Sequence, residues 1–256
     1  MPAHEPFENR HAFAKQAKRA LRKQMRGLRG TYPASVLTSH SETIQDRLMQ
    51  LPAFADAKVL ALCAVPPEQR GVDTTRLAEM ARSLGKTVAY PRVDYDSQSV
   101  AFHVAAEADL QGCGLETAEA PPHAPIVSPD TIDLIVVPVL AVDLTGVFIG
   151  DGSGTYDHVL QRMAHAITVA VAFEFQLIPE APRTSDDVPV AVVVTEGRVF
   201  EARGERSDGG VTNGTSSTGR AAKEVRRAKQ PDSMAGPIAG TDGGGGWTRG
   251  RVGERA

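Results

Sequence analysis

Short apolar runs alternate with helical patterns along most of this chain, and that alternation restricts the fold more than any other feature. The runs are rich in Val, Ile, Leu and Ala, and each is nearly continuously apolar. They are AKVLALCAV, KTVAYPRV, SVAFHVA, DLIVVPVLAV, AITVAVAFE and VPVAVVVTE, which begin at residues 57, 86, 99, 133, 166 and 188. Continuously apolar strands are typical of a parallel sheet that is buried on both faces. We therefore predict an α/β fold with a mostly parallel sheet and helices on both faces.

Four segments carry the three-and-four spacing of amphipathic helices. They cover residues 13–29, 36–51, 73–85 and 156–166. The first has an apolar stripe formed by Ala14, Ala17, Leu21, Met25 and Leu28. Its other faces are basic and carry Lys15, Lys18, Arg19, Arg22, Lys23, Arg26 and Arg29. A basic face of this kind is either solvated or binds an anion, and the sequence leaves both interpretations open.

Glycine and charge separate a tail from the predicted domain. Residues 204–256 hold 13 of the 24 glycines and have no apolar periodicity. We predict that this tail is disordered, because it cannot bury enough surface to offset the entropy of ordering. The predicted domain covers residues 12–203. Residues 1–203 together have a formal net charge of −6, against +3 for the tail. An acidic domain is not expected to bind nucleic acid.

Cysteine content and hydropathy exclude several classes of protein. Cys63 and Cys113 are too few for a disulfide framework or a zinc site, and Cys63 lies in an apolar run. The longest apolar stretch, LIVVPVLAV, is about half the length of a membrane span and contains a proline. The N-terminal residues are polar and do not resemble a secretion signal. We expect a cytoplasmic protein that does not contact a membrane.

The stretch GVFIGDGSGTYDHVLQRM, residues 146–163, is the strongest candidate for a binding site. Gly150, Gly152 and Gly154 follow an apolar run and precede a helix, whose first N–H groups could bind an anion. The spacing matches neither the dinucleotide fingerprint nor the Walker A motif, so a phosphate-binding loop and an ordinary tight turn both fit it. Asp157 is either a favourable charge in the first turn or a metal ligand. The neighbouring pair Asp186 and Asp187 is, by itself, typical of a polar surface loop.

Eight motifs occur in one order along the chain. They are KRALR, FADAKVLAL, GVDT, GKTVAYPR, DLIVVPVLAVD, GDGSGTYDH, FEFQLIPE and DDVPVAVVVTE, which begin at residues 18, 54, 71, 85, 133, 150, 173 and 186. This ordered set resembles the 5-formyltetrahydrofolate cyclo-ligase family, also called methenyltetrahydrofolate synthetases, over residues 15 to about 198. No single motif is decisive, but the set in this order is specific.

The resemblance implies a reaction and its cofactors. Enzymes of that family use ATP and Mg²⁺ to phosphorylate the formyl oxygen of 5-formyltetrahydrofolate. N10 of the folate then attacks the activated carbon, and phosphate leaves as 5,10-methenyltetrahydrofolate forms. The implied partner is therefore a folate as small-molecule substrate, and we expect the protein to be a monomer.

The resemblance also implies roles for individual residues. The implied nucleotide-binding residues are Lys18, Arg22, Gly150, Gly152, Gly154 and Tyr156. The implied metal ligands are Asp157 and Asp187, through hard carboxylate oxygens. Tyr156 and Asp157 would serve catalysis, and Glu68 and Thr155 would contact the substrate.

Several site positions depart from the family pattern. The loop loses basic groups, since Phe148 and His158 stand where the family has arginine and Asp151 and Ser153 flank the middle glycine. The other departures are Gly71 for a substrate-binding Glu, Thr155 for a Tyr, and Asp186 for a His. A phenyl ring or a neutral imidazole cannot replace the bidentate donors of a guanidinium group. The sequence predicts an ATP-dependent cyclo-ligase, and it leaves open a catalytically degenerate relative that binds a folate, a nucleotide or a protein.

Overall fold

Strands and helices alternate in the computed structural model as the apolar pattern predicts. The structure describes residues 7–94, 99–112 and 117–203, without the side chains of residues 7–10 and 155. The helices are α1 (Phe7–Thr31), α2 (Ala34–Met49), α3 (Pro52–Asp56), α4 (Thr75–Ser83) and α5 (Thr155–Arg162). The first seven strands are β1 (Val59–Ala61), β2 (Thr87–Asp94), β3 (Ser99–Val104), β4 (Gln111–Gly112), β5 (Ala118–Glu119), β6 (Ile126–Val127) and β7 (Leu134–Pro138). The last five are β8 (Ala141–Val142), β9 (Phe148–Ile149), β10 (Ile167–Val171), β11 (Val192–Val194) and β12 (Val199–Glu201).

Eight of these strands form one sheet in the order β12-β11-β10-β7-β1-β2-β3-β6. The five strands from β11 to β2 are parallel to their neighbours, whereas β12, β3 and β6 pair antiparallel at the two edges. The predicted α/β fold with a mostly parallel sheet is therefore confirmed. Sequence periodicity did not indicate the antiparallel edges, because strand direction depends on the connections and not on the apolar pattern.

The sheet is buried on both faces. Along β7, Leu134 and Val136 contribute to a cluster with α2 and α4, while Ile135 and Val137 contribute to a cluster with α5. All four side chains are fully buried. Alternate residues of a strand point to opposite faces, so a continuous apolar run is what a central strand between two helical layers requires.

Helix α1 packs outside the large sheet, against the antiparallel hairpin of β8 and β9. Its predicted apolar stripe makes this contact: Met25 is buried, and Leu21 and Leu28 are partly buried, against Ala141, Val147 and Ile149. The predicted helix 13–29 is confirmed and is longer at both ends. This packing places the basic residues of α1 beside the loop that follows β9.

The chain leaves the central sheet earlier than the sequence suggests. The apolar run 133–142 reads as one strand, but β7 ends at Pro138 and the run continues into the hairpin. The buried Asp143 forms the turn, because its Oδ1 accepts hydrogen bonds from the Thr145 N–H and hydroxyl and from the Val147 N–H. The glycine loop therefore follows a hairpin and not the parallel strand itself.

Residues outside the described ranges include Cys113 and the whole predicted tail, 204–256. The described residues fall within one compact unit, residues 1–213. Cys63 is fully buried, as its position in an apolar run predicts, and burial raises the pKa of its thiol to about 12. Among the described residues, no helix is both long and apolar enough to cross a membrane.

Candidate active site

A cavity of about 550 Å³ lies where α1, the glycine loop, the start of α5 and the segment before β11 meet. Most of the residues implied by the motifs line it together. The lining residues are His11, Lys15, Lys18, Arg19, Arg22, Phe148, Gly150, Asp151, Gly152, Gly154, Tyr156, Asp157, His158, Gln161, Thr184, Asp186 and Asp187. The lining residues come from three separate stretches of the sequence, 11–22, 148–161 and 184–187, so tertiary packing creates the cavity.

The loop between β9 and α5 adopts a conformation that requires glycine at two positions. Gly152 and Gly154 have φ angles of +107° and +75°, which residues with a side chain rarely adopt. A Cβ atom at Gly152 would also lie 3.0 Å from the Arg22 guanidinium carbon. Arg22 Nε donates a hydrogen bond of 2.9 Å to the Gly150 carbonyl. The loop and α1 are thus fastened to each other through Arg22.

Asp151, which stands where a basic residue is common in the family, is turned into the loop. Its Oδ1 accepts hydrogen bonds from the Ser153 N–H at 2.9 Å and from the Ser153 hydroxyl at 2.7 Å. Its carbonyl accepts one from Arg26 Nη2 at 3.3 Å. Asp151 therefore stabilises the turn, although its carboxylate still adds negative charge to the cavity wall.

Lys18 and Asp187 form a buried ion pair on the opposite wall. The Lys18 ammonium donates to Asp187 Oδ1, and the two side chains are only 10% and 8% exposed. Asp187 Oδ2 accepts a second hydrogen bond, of 2.7 Å, from the Thr184 N–H. Lys18 lies on α1 and Asp187 lies between β10 and β11, so this pair closes the cavity across two distant segments.

Asp157 projects from the first turn of α5, close to this pair. Its Oδ1 accepts one long hydrogen bond, of 3.4 Å, from the Val188 N–H. Burial and, second, the negative charge of Asp187 raise the pKa of Asp157 above its usual range, and the Val188 hydrogen bond and Lys18 only partly oppose this. The carboxylates of Asp157 and Asp187 therefore repel each other, and the buried Lys18 ammonium pairs with Asp187.

This carboxylate pair fits a magnesium ion. Mg²⁺ prefers hard oxygen ligands and is commonly held by one or two carboxylates together with substrate phosphates. Burial and, second, the charge of Asp187 raise the pKa of Asp157, and a divalent cation bound to both carboxylates would oppose their repulsion. Among the described residues, no cluster of three or more His, Cys, Asp and Glu side chains forms an all-protein metal site. The arrangement therefore suits a metal ion that arrives with a phosphate ligand.

Tyr156 places a polar atom in the cavity wall without a partner. Its hydroxyl oxygen is buried and forms no hydrogen bond with the described residues. Burial, with smaller contributions from Cys63 and Asp151, raises the pKa of Tyr156 well above its usual value, so the phenol stays protonated. A buried hydroxyl without a partner is costly, and it is available as a donor to a ligand.

Side-chain hydrogen bonds of Asp143 and Gln176 hold the hairpin that leads into the glycine loop. Asp143 Oδ2 accepts a bond of 2.9 Å from the Ala181 N–H, in addition to the turn contacts of its Oδ1. The buried Gln176 side chain donates to the carbonyls of Val139 and Leu140, at 2.9 Å each, and accepts from the Phe173 N–H. Both residues belong to motifs that the sequence identified without assigning them a role. Their contacts show that they hold the hairpin, and therefore the loop, in place.

Two implied substrate contacts are not part of the cavity as described. Glu68 is exposed on the short turn Pro67–Gln69 and does not line the cavity. The side chain of Thr155 is outside the described residues, so its implied role stays a prediction. At Gly71, where the family has a substrate-binding Glu, a Cβ atom would lie 2.6 Å from Val65 Cγ1. Val65 thus occupies the space that a side chain at position 71 would need.

Sequence reasoning missed three basic residues of the cavity. His11, Lys15 and Arg19 line it. The sequence left Lys15 and Arg19 open between a solvated and an anion-binding role, and it assigned no role to His11. Their spacing of four residues puts them on one face of the helix, and this was the available signal. Arg29 also departs from the solvated interpretation, because it is buried and donates a hydrogen bond of 2.9 Å to the Gln69 carbonyl.

The motifs, the cavity and the sheet can be compared with known proteins. The sequence profile of the 5-formyltetrahydrofolate cyclo-ligase family matches residues 14–196, which is most of the described structure. This chain belongs to that family. The match includes every residue that lines the cavity except His11.

Solved structures of family members show the same fold. The chain is similar to the 5,10-methenyltetrahydrofolate synthetase of Aquifex aeolicus, with 31% identity and a TM-score of 0.62, over 74% of this chain and 95% of the other. The synthetase of Mycoplasma pneumoniae has the same fold, with 19% identity and a TM-score of 0.57, over 70% and 98% of the two chains.

Curated family members match shorter parts of the sequence. The cyclo-ligase of Escherichia coli strain K12 is 36% identical over 72 residues, which are 27% of this chain and 40% of that enzyme. The chain thus aligns with less than half the length of that relative. The mitochondrial cyclo-ligase of Arabidopsis thaliana is 26% identical over 203 residues, which are 70% of this chain and 73% of the other.

Proposed function

We propose that this protein converts 5-formyltetrahydrofolate into 5,10-methenyltetrahydrofolate and consumes ATP with Mg²⁺. The supporting observation is one cavity that combines the family's glycine loop, two cations of α1 and two carboxylates. Lys18, Arg22, Asp157 and Asp187 all line this cavity, at positions that match family motifs. Phosphoryl transfer depends mainly on positioning and on electrostatic stabilisation, and these groups supply both.

The residues of the chain would share the work in the following way. The Lys18 ammonium and the Arg22 guanidinium bind phosphate oxygens, since both are cationic hydrogen-bond donors without an acceptor. Gly152 and Gly154 keep the loop backbone bare, so that an anion can approach its N–H groups. The protonated Tyr156 hydroxyl donates a hydrogen bond to the bound substrate or phosphate.

Asp157 and Asp187 would hold the metal ion. When bound, Mg²⁺ offsets negative charge on the phosphoryl oxygens. Asp187 Oδ1 also accepts a hydrogen bond from the Lys18 ammonium, so Lys18 and the metal ion would share this carboxylate. A cytoplasmic location and a monomeric state are part of the same proposal.

The direct test follows the absorbance of methenyltetrahydrofolate. Purified protein is mixed with 5-formyltetrahydrofolate, ATP and Mg²⁺. Two control mixtures are used, one without protein and one without ATP. We expect product only in the complete mixture. A chain that binds ATP in calorimetry but forms no product would contradict the proposed reaction and would identify a binding protein on the same scaffold.

Lys18 gives the sharpest variant of this test. Lys18→Met should lower kcat by about 10²–10³-fold, because it removes one fixed charge from the transferring phosphoryl group. Lys23→Met is the matched control, since Lys23 is exposed on the same helix and does not line the cavity. Lys18→Arg should restore part of the activity. Equal activities of the Lys18→Met and Lys23→Met variants would remove Lys18 from the site.

A further inference from the structure

The basic residues of α1 form two parallel rows with different contacts. The inner row is Lys18, Arg22 and Arg26, and the outer row is His11, Lys15 and Arg19. Successive residues of each row are four positions apart, which is about one helical turn, so each row follows one face of α1. Five of the six residues line the cavity, and Arg26 contacts the loop from just outside it.

The inner row is bound to the protein. Lys18 pairs with Asp187, Arg22 donates to the Gly150 carbonyl, and Arg26 donates to the Asp151 carbonyl. Each contact fixes one wall of the cavity to α1. Some of the hydrogen-bond donors of the inner row are therefore occupied by contacts within the protein.

The outer row has no such contacts within the described part of the chain. Lys15 and Arg19 are exposed, line the cavity and form no ion pair or hydrogen bond with a described residue. They lie one turn apart with like charge, which is mildly unfavourable in a helix unless an anion is present. Their charge is available to a ligand.

The charges of the cavity lining indicate that a polyphosphate ligand would need the outer row. The lining includes four carboxylates, on Asp151, Asp157, Asp186 and Asp187, and only four Lys and Arg side chains. All four of these cations come from α1, because neither the glycine loop nor the segment before β11 adds a Lys or Arg to the lining. With Lys18 and Arg22 alone, the cavity would be negatively charged and would repel a polyphosphate. With Lys15 and Arg19 included, the lining has four positive and four negative formal charges.

We infer that Lys15 and Arg19 bind the terminal phosphates of the nucleotide and so replace the basic groups that the glycine loop lacks. His11 continues the row and lines the same cavity. This inference deepens the proposed function, since it assigns the phosphate contacts of the same site to a second face of α1. It depends on a polyphosphate ligand and does not depend on the folate chemistry.

The test measures binding and not turnover. Calorimetry with the full chain compares Mg-ATP, inorganic tripolyphosphate and 5-formyltetrahydrofolate as ligands of the wild type and of the Lys15→Gln/Arg19→Gln double variant. Lys23→Gln, on the same helix but outside the cavity, is the matched control. We expect the double variant to bind Mg-ATP and tripolyphosphate about 10–100-fold more weakly, as expected for the loss of charge-assisted hydrogen bonds, and the control to bind normally. Thermal melting should show that both variants are folded.

Three results would overturn the inference. One is a double variant that binds Mg-ATP and tripolyphosphate as tightly as the Lys23→Gln control. Another is a double variant that loses affinity only for the folate, which would assign the outer row to the carboxylates of that substrate. The third is a wild-type chain that binds neither phosphate ligand. Phosphate binding that depends on the outer row, without formation of methenyltetrahydrofolate, would support the inference and contradict the proposed reaction.

Discussion

The two sides of the glycine loop differ in how their polar groups are satisfied. On the side of the β8–β9 hairpin, the carboxylate of Asp143 accepts four hydrogen bonds and the amide of Gln176 forms three. On the cavity side, the Tyr156 hydroxyl is buried without a described partner, and the pKa of Asp157 is raised. Both sides are built from residues of the family motifs, so a motif alone does not tell the two roles apart.

Polar groups with partners in the free protein stabilise the fold, whereas polar groups without partners are available to bind a ligand. A saturated buried network stabilises the protein, and the removal of any member leaves other groups unsatisfied. An unsatisfied group costs stability in the free protein and recovers it when a ligand binds. Removal of a polar group should therefore lower the free energy of unfolding on the hairpin side and leave it unchanged or raise it on the cavity side.

The largest effect is expected for Asp143→Ala. Four donors lose their acceptor, and we expect a decrease of about 3 kcal/mol in the free energy of unfolding. Chemical denaturation monitored by circular dichroism measures this loss. Asp130→Ala is the control, because Asp130 is exposed on a surface turn. Similar unfolding midpoints for the two variants would break the distinction between the two sides of the loop.

Two Tyr→Phe variants compare the same chemical change on a satisfied and an unsatisfied hydroxyl. The Tyr90 hydroxyl donates to Glu107, so Tyr90→Phe should cost about 1 kcal/mol. Tyr156→Phe should leave stability unchanged or raise it slightly, while it weakens ligand binding. Denaturation curves and calorimetry with Mg-ATP and with the folate measure the two effects. A clear loss of stability in Tyr156→Phe would show that this hydroxyl has a partner in the free protein.

The smallest effect is expected for Asp157→Asn. Because the pKa of Asp157 is raised in the folded protein, its ionisation costs stability; this cost is absent below the ordinary Asp pKa of about 4 and complete above the folded pKa. In the absence of metal, the variant should therefore melt about 2 °C above the wild type at neutral pH and should not differ from it at the acid end. Melting curves from acid to neutral pH test this, with the exposed neighbour in Asp186→Asn as control. A variant that melts below the wild type at neutral pH would contradict the repulsion between Asp157 and Asp187.

Much of the fold could be predicted because it depends on local patterns. The continuous apolar runs predicted the parallel sheet, and the stripe on α1 predicted the face that packs on the hairpin. The hairpin between β7 and the loop was missed, since the run 133–142 remains apolar through the point where the chain changes direction. The signal for that change is Asp143, whose role depends on contacts with Ala181 that are distant in sequence.

The candidate site could be predicted only in part. The motifs identified Lys18, Arg22, Asp157 and Asp187, and the structure brings all four to one cavity. They also suggested Glu68, which lies on an exposed turn outside that cavity. Lys15 and Arg19 could not be separated from other exposed cations of α1, because a helix presents basic residues on several faces and only its packing decides which face meets the loop.

By itself, the sequence determined the α/β architecture, the glycine loop and the membership of the family, since these depend on periodicity and on residues in a fixed order. Only the tertiary structure decided which groups are saturated and which face the cavity. It paired Lys18 with Asp187 across 169 positions of the chain and set the charge of Asp187 near Asp157. Burial and electrostatic coupling depend on distances between segments that are remote in sequence, and those distances exist only once the chain has packed.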